Sequence, residues 1–194
     1  GGVANVTWIG KDDALIAFDT GPGNALIDDW TFKNTGKPMD HDGAMARCGD
    51  IDAVVLEALL KTPYLKRMPP KSLDRNEFDA SLAESLLVED GAATLTAFTI
   101  GCIKASLDYF PAPPARWVVC GGGRRNSALM AGLGSALGVP VEPMEALGWD
   151  GDAIEAEAFA YLAVRKLRNL PTSFPETTGV ATPTSGGVLH RHKV

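Results

Sequence analysis

The sequence predicts an α/β fold, a mixed sheet flanked by helices, on three observations. Two short β-prone runs, Val3 to Trp8 and Leu15 to Phe18, flank a segment of hairpin-turn composition. A buried-type strand, Arg116 to Cys120, runs through a triple glycine into a helix-patterned stretch from Ser127 to Leu137. Two further stretches, Ala92 to Phe110 and the one opening at Asp152, repeat apolar residues at three- and four-residue steps, the period of a helix with one buried face.

Composition narrows the functional classes. With 194 residues the chain can bury a core as one large domain or two small ones. A net charge of −6, from 18 basic and 24 acidic side chains, argues against nonspecific binding to nucleic acid or an anionic membrane. No apolar run approaches the roughly 20 residues that span a bilayer, and no basic-then-apolar leader opens the chain. Cys48, Cys102 and Cys120 are odd in number and widely spaced, so neither a disulfide framework nor a zinc site is indicated; they read as reduced thiols in a cytoplasmic protein. The abrupt opening on a strand, without Met, reads as a piece of a longer protein.

Taken in order, Gly10-Lys11-Asp12-Asp13 joins the first two strands and the hairpin delivers Asp19 to the turn Asp19-Thr20-Gly21-Pro22-Gly23-Asn24. Glycines turn tightly and bring backbone N–H groups close to a ligand. The apolar helix-like run Ala25 to Trp30 follows, with Asn24 placed to cap it, and a helix N-terminus beside such a turn suits an anion. An acid at that mouth can accept the proton of a hydroxyl or water attacking nearby. It serves equally as a turn or capping residue, and the hexapeptide alone leaves both roles open. Asn34-Thr35-Gly36-Lys37-Pro38 ends the helix. Met39-Asp40-His41-Asp42-Gly43 lacks the alternating acids of a calcium loop, so no metal is expected there and His41 reads as a solvated loop residue.

Ile51 to Leu60 reads as a helix, and Pro63, Pro69 and Pro70 as an extended connector. In Lys71-Ser72-Leu73-Asp74-Arg75 two cations suit a phosphate or sugar acid, or a solvated loop that caps a helix near Phe78. Leu95, Phe98, Cys102, Ile103 and Leu107 face one side of the next helix, which Pro111, Pro113 and Pro114 stop. Gly121-Gly122-Gly123-Arg124-Arg125-Asn126 matches neither the Walker pattern nor GxGxxG, yet its glycines suit a flat base lying on bare backbone. Val139 to Met144 is a candidate strand. From Asp152, Ile154, Ala158, Phe159, Leu162 and Ala163 form one apolar helix face, with Arg165, Lys166 and Arg168 at the end the dipole prefers. Glu155 lies in its first turn, as dipole complement or functional acid. From Pro171 the tail reads as irregular, which makes His190 and His192 poor catalytic candidates, and no internal repeat is present.

Four stretches together carry a resemblance: Gly1-Gly2-Val3-Ala4-Asn5-Val6-Thr7, Phe18 to Asn24, Val119-Cys120-Gly121-Gly122-Gly123 with Asn126, and Glu155-Ala156 with Ala158-Phe159-Ala160. In this order and spacing they resemble the anhydro-N-acetylmuramic acid kinase family, sugar kinases of the actin, hexokinase and heat-shock-chaperone superfamily. The likeness covers essentially the whole chain, including Lys71-Ser72 with Arg75 and the Asp42-Gly43 loop. It implies a ribonuclease H-like, actin-like ATPase lobe over residues 1–194, the C-terminal lobe of a two-lobed enzyme with ATP in the cleft. The reaction implied is opening of the 1,6-anhydro ring by water with phosphorylation at O6. Asp19 would be the general base. Thr20, Gly21, Gly23 and Asn24 would lie at the phosphates, and Gly121, Gly122, Gly123 and Asn126 at the adenosine. Glu155 would contact the sugar, with Lys71 and Arg75 as further cleft contacts. A Mg²⁺–ATP complex and a homodimer follow from the resemblance alone, since no carboxylate cluster here dictates a metal. The family's first phosphate loop, of the Gly-Thr-Ser-x-Asp-Gly type, is missing from this chain, so the chain by itself is expected to be inactive and to bind ATP weakly. The alternative is a non-catalytic nucleotide-binding module of the same superfamily, which would need neither Asp19 nor Glu155; a scaffold or interaction fragment is a third reading.

Overall fold

The computed structural model describes residues 2–12 and 14–190; Gly1, Asp13 and His192, named above, lie outside them. Strands β1 (Ala4–Ile9) and β2 (Leu15–Gly21) pair antiparallel, as the turn composition between the two β-prone runs predicts. Their cross-strand pair Val6 and Phe18 is 8% and 3% exposed, which fixes the inward face. The register shifts between Ala4 and Asn5, leaving Thr20 as the extra residue of a bulge in β2, and Asn5 stands directly opposite Asp19.

Helix α1 (Ala25–Thr35) buries Leu26, Ile27 and Trp30 and ends on Gly36 in the left-handed conformation. Helix α2 (Ala53–Leu60) starts two residues later than the apolar run because the Asp52 carboxylate caps it, accepting from the Val54 and Val55 amides. Helix α3 (Val88–Ala105) is the centre of the molecule. Its Ala92, Leu95, Phe98 and Cys102 are at most 1% exposed and pack with Leu26, Ile27, Trp30 and Leu59 into the core. The indole of Trp30 donates to the Val88 carbonyl at 2.8 Å, tying α1 to the start of α3.

Strands β3 (Trp117–Val119) and β4 (Val141–Pro143) are parallel, joined by helix α4 (Ser127–Leu137) as parallel strands require. Helix α5 (Ile154–Leu167) and a single turn, α6 (Pro175–Thr178), follow. The α/β class is as expected, but the single mixed sheet is not: among the described residues there are two separate two-stranded sheets. Between residues 22 and 115 the chain forms no strand, and β3 and β4, three residues each, pair only with one another. Two more expectations change. No residue of α5 is buried and Phe159 is 66% exposed, so its apolar face does not enter this core. The tail is not wholly irregular: Ser173 bridges to Thr184, and α6 packs against β2.

Candidate functional site: two glycine turns that meet

Asp19 sits at the end of the hairpin, half-buried, and its surroundings fix it at four points. Its Oδ1 accepts from Asn5 Nδ2 at 2.9 Å and its Oδ2 from the Leu73 amide at 2.7 Å. Its own amide donates to the Lys71 carbonyl at 3.0 Å, while the Tyr64 hydroxyl donates to its carbonyl at 2.7 Å. An ionised carboxylate offers about four acceptor positions, so two stay open to a water or hydroxyl. Burial pushes the Tyr64 phenol up, and the negative charge of Asp19 pushes it the same way, so Tyr64 stays a protonated donor.

The glycines of the first turn have identifiable packing roles. A Cβ on Gly21 would stand 2.6 Å from the Cys102 Cβ and 2.9 Å from its Sγ, so the turn lies directly on α3. Gly23 has φ +56°, and a Cβ there would stand 2.3 Å from the Gly2 carbonyl oxygen. Thr20 is buried and donates to the Ala4 carbonyl at 3.2 Å; Thr99 of α3 donates to the Gly23 carbonyl at 2.7 Å. Asn24 corrects its expectation as a helix cap. Its side chain makes no capping bond to α1, and its Oδ1 is buried without a hydrogen-bond partner among the described residues. It turns toward the second glycine turn instead: its Nδ2 is 3.9 Å from where a Cβ on Gly123 would sit.

That second turn lies at the carboxyl end of β3, the end where parallel α/β units hold ligands. Gly121 has φ +71°, and a Cβ on either Gly121 or Gly122 would meet nothing within 4 Å, so bare backbone faces open space. Asn126 is buried and caps α4, accepting from the Leu129 amide at 3.0 Å. Asp42 fills the same helix end: the Ser127 hydroxyl donates to its carbonyl at 2.9 Å, and Arg47 holds its carboxylate at 3.1 Å. Hydrogen bonding from Ser127 and the Arg47 charge hold the Asp42 carboxyl below its usual range. The N-terminus of α4 is thus filled by protein groups, whereas that of α1 has no side-chain cap. Motif reading missed Arg124, whose side chain is 5% exposed and binds Glu145 and Asp152, each at 2.8 Å.

The remaining candidates are placed less directly. Lys71 points into an aromatic cage, its Nζ 4.6 Å from the Tyr109 ring centre and 4.8 Å from that of Tyr64, and donates to the Tyr64 carbonyl at 3.3 Å. Burial there pushes its pKa down, and burial pushes the neighbouring Cys102 thiol up to about 12. Lys71 therefore shapes the support behind Asp19 with its ammonium turned inward. Arg75 pairs with Asp29 at 2.6 Å beside the start of α1. Glu155 is exposed in the first turn of α5, three residues after Asp152, which Arg124 ties to the second glycine turn.

Among the described residues no group of three or more His, Cys, Asp or Glu could hold a metal ion, and no helix is long and apolar enough to cross a membrane. Two surface hollows, of about 400 and 190 Å³, lie against α2 and α1 near Asp79; neither is lined by Asp19 or by the triple glycine.

Fold and site together define an α/β protein in which two strand–turn–helix junctions face one another. A family model of anhydro-N-acetylmuramic acid kinase matches residues 1–192. Anhydro-N-acetylmuramic acid kinase of Rhodospirillum rubrum is 57% identical over 188 residues, which is 96% of this chain and 50% of that protein. Those of Rhizorhabdus wittichii and Zymomonas mobilis are 54% and 48% identical, each over 98% of this chain and 53% and 52% of their own length. The chain belongs to the anhydro-N-acetylmuramic acid kinase family. It spans about half the length of the curated relatives it matches.

Proposed function

We propose that this chain is the C-terminal, actin-like lobe of a two-lobed cytoplasmic kinase that opens anhydro-N-acetylmuramic acid and phosphorylates it at O6. The observation that carries this reading is the meeting of the two glycine turns at Asn24 and Gly123, with Asp19 held at the rim of the first. In the reaction a water attacks the anomeric carbon and gives its proton to Asp19 while the bond from that carbon to O6 breaks. The freed O6 takes the γ-phosphoryl group of ATP, leaving ADP and N-acetylmuramic acid 6-phosphate. Asn5 and the Leu73 amide keep the carboxylate aimed, and the unpartnered Asn24 oxygen and uncapped end of α1 suit the nucleotide. The open backbone at Gly121 and Gly122 suits the adenosine. Mg²⁺ would travel with the phosphates, because the carboxylates among the described residues form no cluster to hold it. Phosphorus NMR of the complete two-lobed protein with ATP and the anhydro sugar tests this: a 6-phosphate on a ring-opened sugar is expected. Retained ATP binding with no sugar product would leave only a nucleotide-binding module.

A further inference from the structure

We propose that Arg124 is a positioning residue that holds the Gly121–Gly123 bend in shape for an adenine nucleotide and yokes that bend to the start of α5. The inference rests on the nucleotide reading above and adds a residue to it. Arg124 turns its side chain inward: Gly122 and Arg125 on the same bend are exposed, whereas the Arg124 side chain is 5% exposed. Its Nη1 donates to the Gly121 carbonyl at 2.9 Å, its Nε to Glu145 at 2.8 Å, and its Nη2 to Asp152 at 2.8 Å. One planar guanidinium thus joins the turn after β3, the turn after β4 and the residue that leads into α5.

The bond to Gly121 has a stereochemical consequence. The peptide between Gly121 and Gly122 is planar and trans, so fixing its carbonyl toward Arg124 points the Gly122 N–H to the opposite side. Space beside the bend is open, since a Cβ on Gly121 or Gly122 would meet nothing within 4 Å. The guanidinium also has a shaped seat, since a Cβ on Gly151 would stand 2.3 Å from its Nε. Charge agrees with geometry: hydrogen bonds from Arg124 hold the Glu145 and Asp152 carboxyls below their usual range. A lysine on the same site carries the charge but cannot span three acceptors in one plane.

The test uses Arg124→Met, Arg124→Lys and Gly151→Ala in the complete two-lobed protein, reading ATP binding by calorimetry, steady-state kinetics and amide hydrogen exchange. All three are expected to speed exchange across residues 121–126 and to raise Kd and KM for ATP about tenfold, while kcat moves less than about threefold and exchange in α3 is unchanged. Gly151→Ala displaces the clamp without altering charge, so a fold-wide failure of the Arg124 variants would not decide the matter alone. Wild-type Kd and KM in Gly151→Ala and Arg124→Lys would overturn the proposal, as would unchanged exchange in the bend. A wild-type protein that bound no ATP would instead defeat the kinase reading, and the exchange data would then decide the clamp alone.

Discussion

Replacing Gly21 by alanine separates packing from ligand approach in the first turn. The new Cβ would stand 2.6 Å from the Cys102 Cβ and 2.9 Å from its Sγ. Neither atom can step aside cheaply, because Cys102 is 1% exposed on α3, beside Phe98 at 0%. The backbone at Gly21 is not left-handed, so sterics alone set the cost. Overpacking a filled core costs about 1–3 kcal/mol, offset by about 0.4–1 kcal/mol from the stiffer unfolded chain. The net expectation is about 1–2 kcal/mol, a fall in Tm of about 2–8 °C for a chain of this size. Scanning calorimetry of wild type, Gly21→Ala, Cys102→Ala and the double variant reads it. Removing the sulfur still leaves the closer Cys102 Cβ, so the double variant should recover only a small part of the loss. A Gly21→Ala protein melting within about 1 °C of wild type would refute the reasoning.

Gly122→Ala is expected to behave oppositely: with open space around the site, stability should stay within about 0.5 kcal/mol while KM for ATP rises about tenfold, and unchanged KM would take the nucleotide off this bend. Acid should loosen the Arg124 clamp. Glu145 and Asp152 have folded pKa values below their unfolded ones, so the stabilisation is present above the ordinary carboxylate range and lost as pH falls through the depressed values. Urea melts of wild type and Arg124→Met should accordingly differ steadily near neutrality and converge below about pH 4; a pH-independent gap would contradict this.

Much of this was legible in the residues because its signals are local. Two β-prone runs around a turn-forming segment wrote the hairpin that carries Asp19, three- and four-residue spacing wrote α3 and α5, and a strand running through glycines wrote α4. What was illegible depends on partners far along the chain. Gly21 looks like a ligand-approach glycine until Cys102, on α3, is set against it. Lys71 looks like a cleft cation until Tyr64 and Tyr109 close around it. Asn24 has the composition of a cap, yet its amide faces Gly123 from a hundred positions away. The two separate sheets were missed for the same reason, since strand patterning names strands and not their neighbours. Arg124 had a readable hint, a paired arginine in a glycine turn of an acidic chain, but its carboxylate partners lie 21 and 28 residues downstream.

The most direct measurement compares wild type with Asp19→Asn in the complete protein, following sugar turnover and ATP affinity together. The exchange keeps the side chain's shape and removes its capacity to take a proton. Turnover should fall by about 10²–10⁴-fold with ATP affinity changed by less than about threefold. Turnover close to that of wild type would contradict the assignment of Asp19 as the base at the mouth of the first glycine turn.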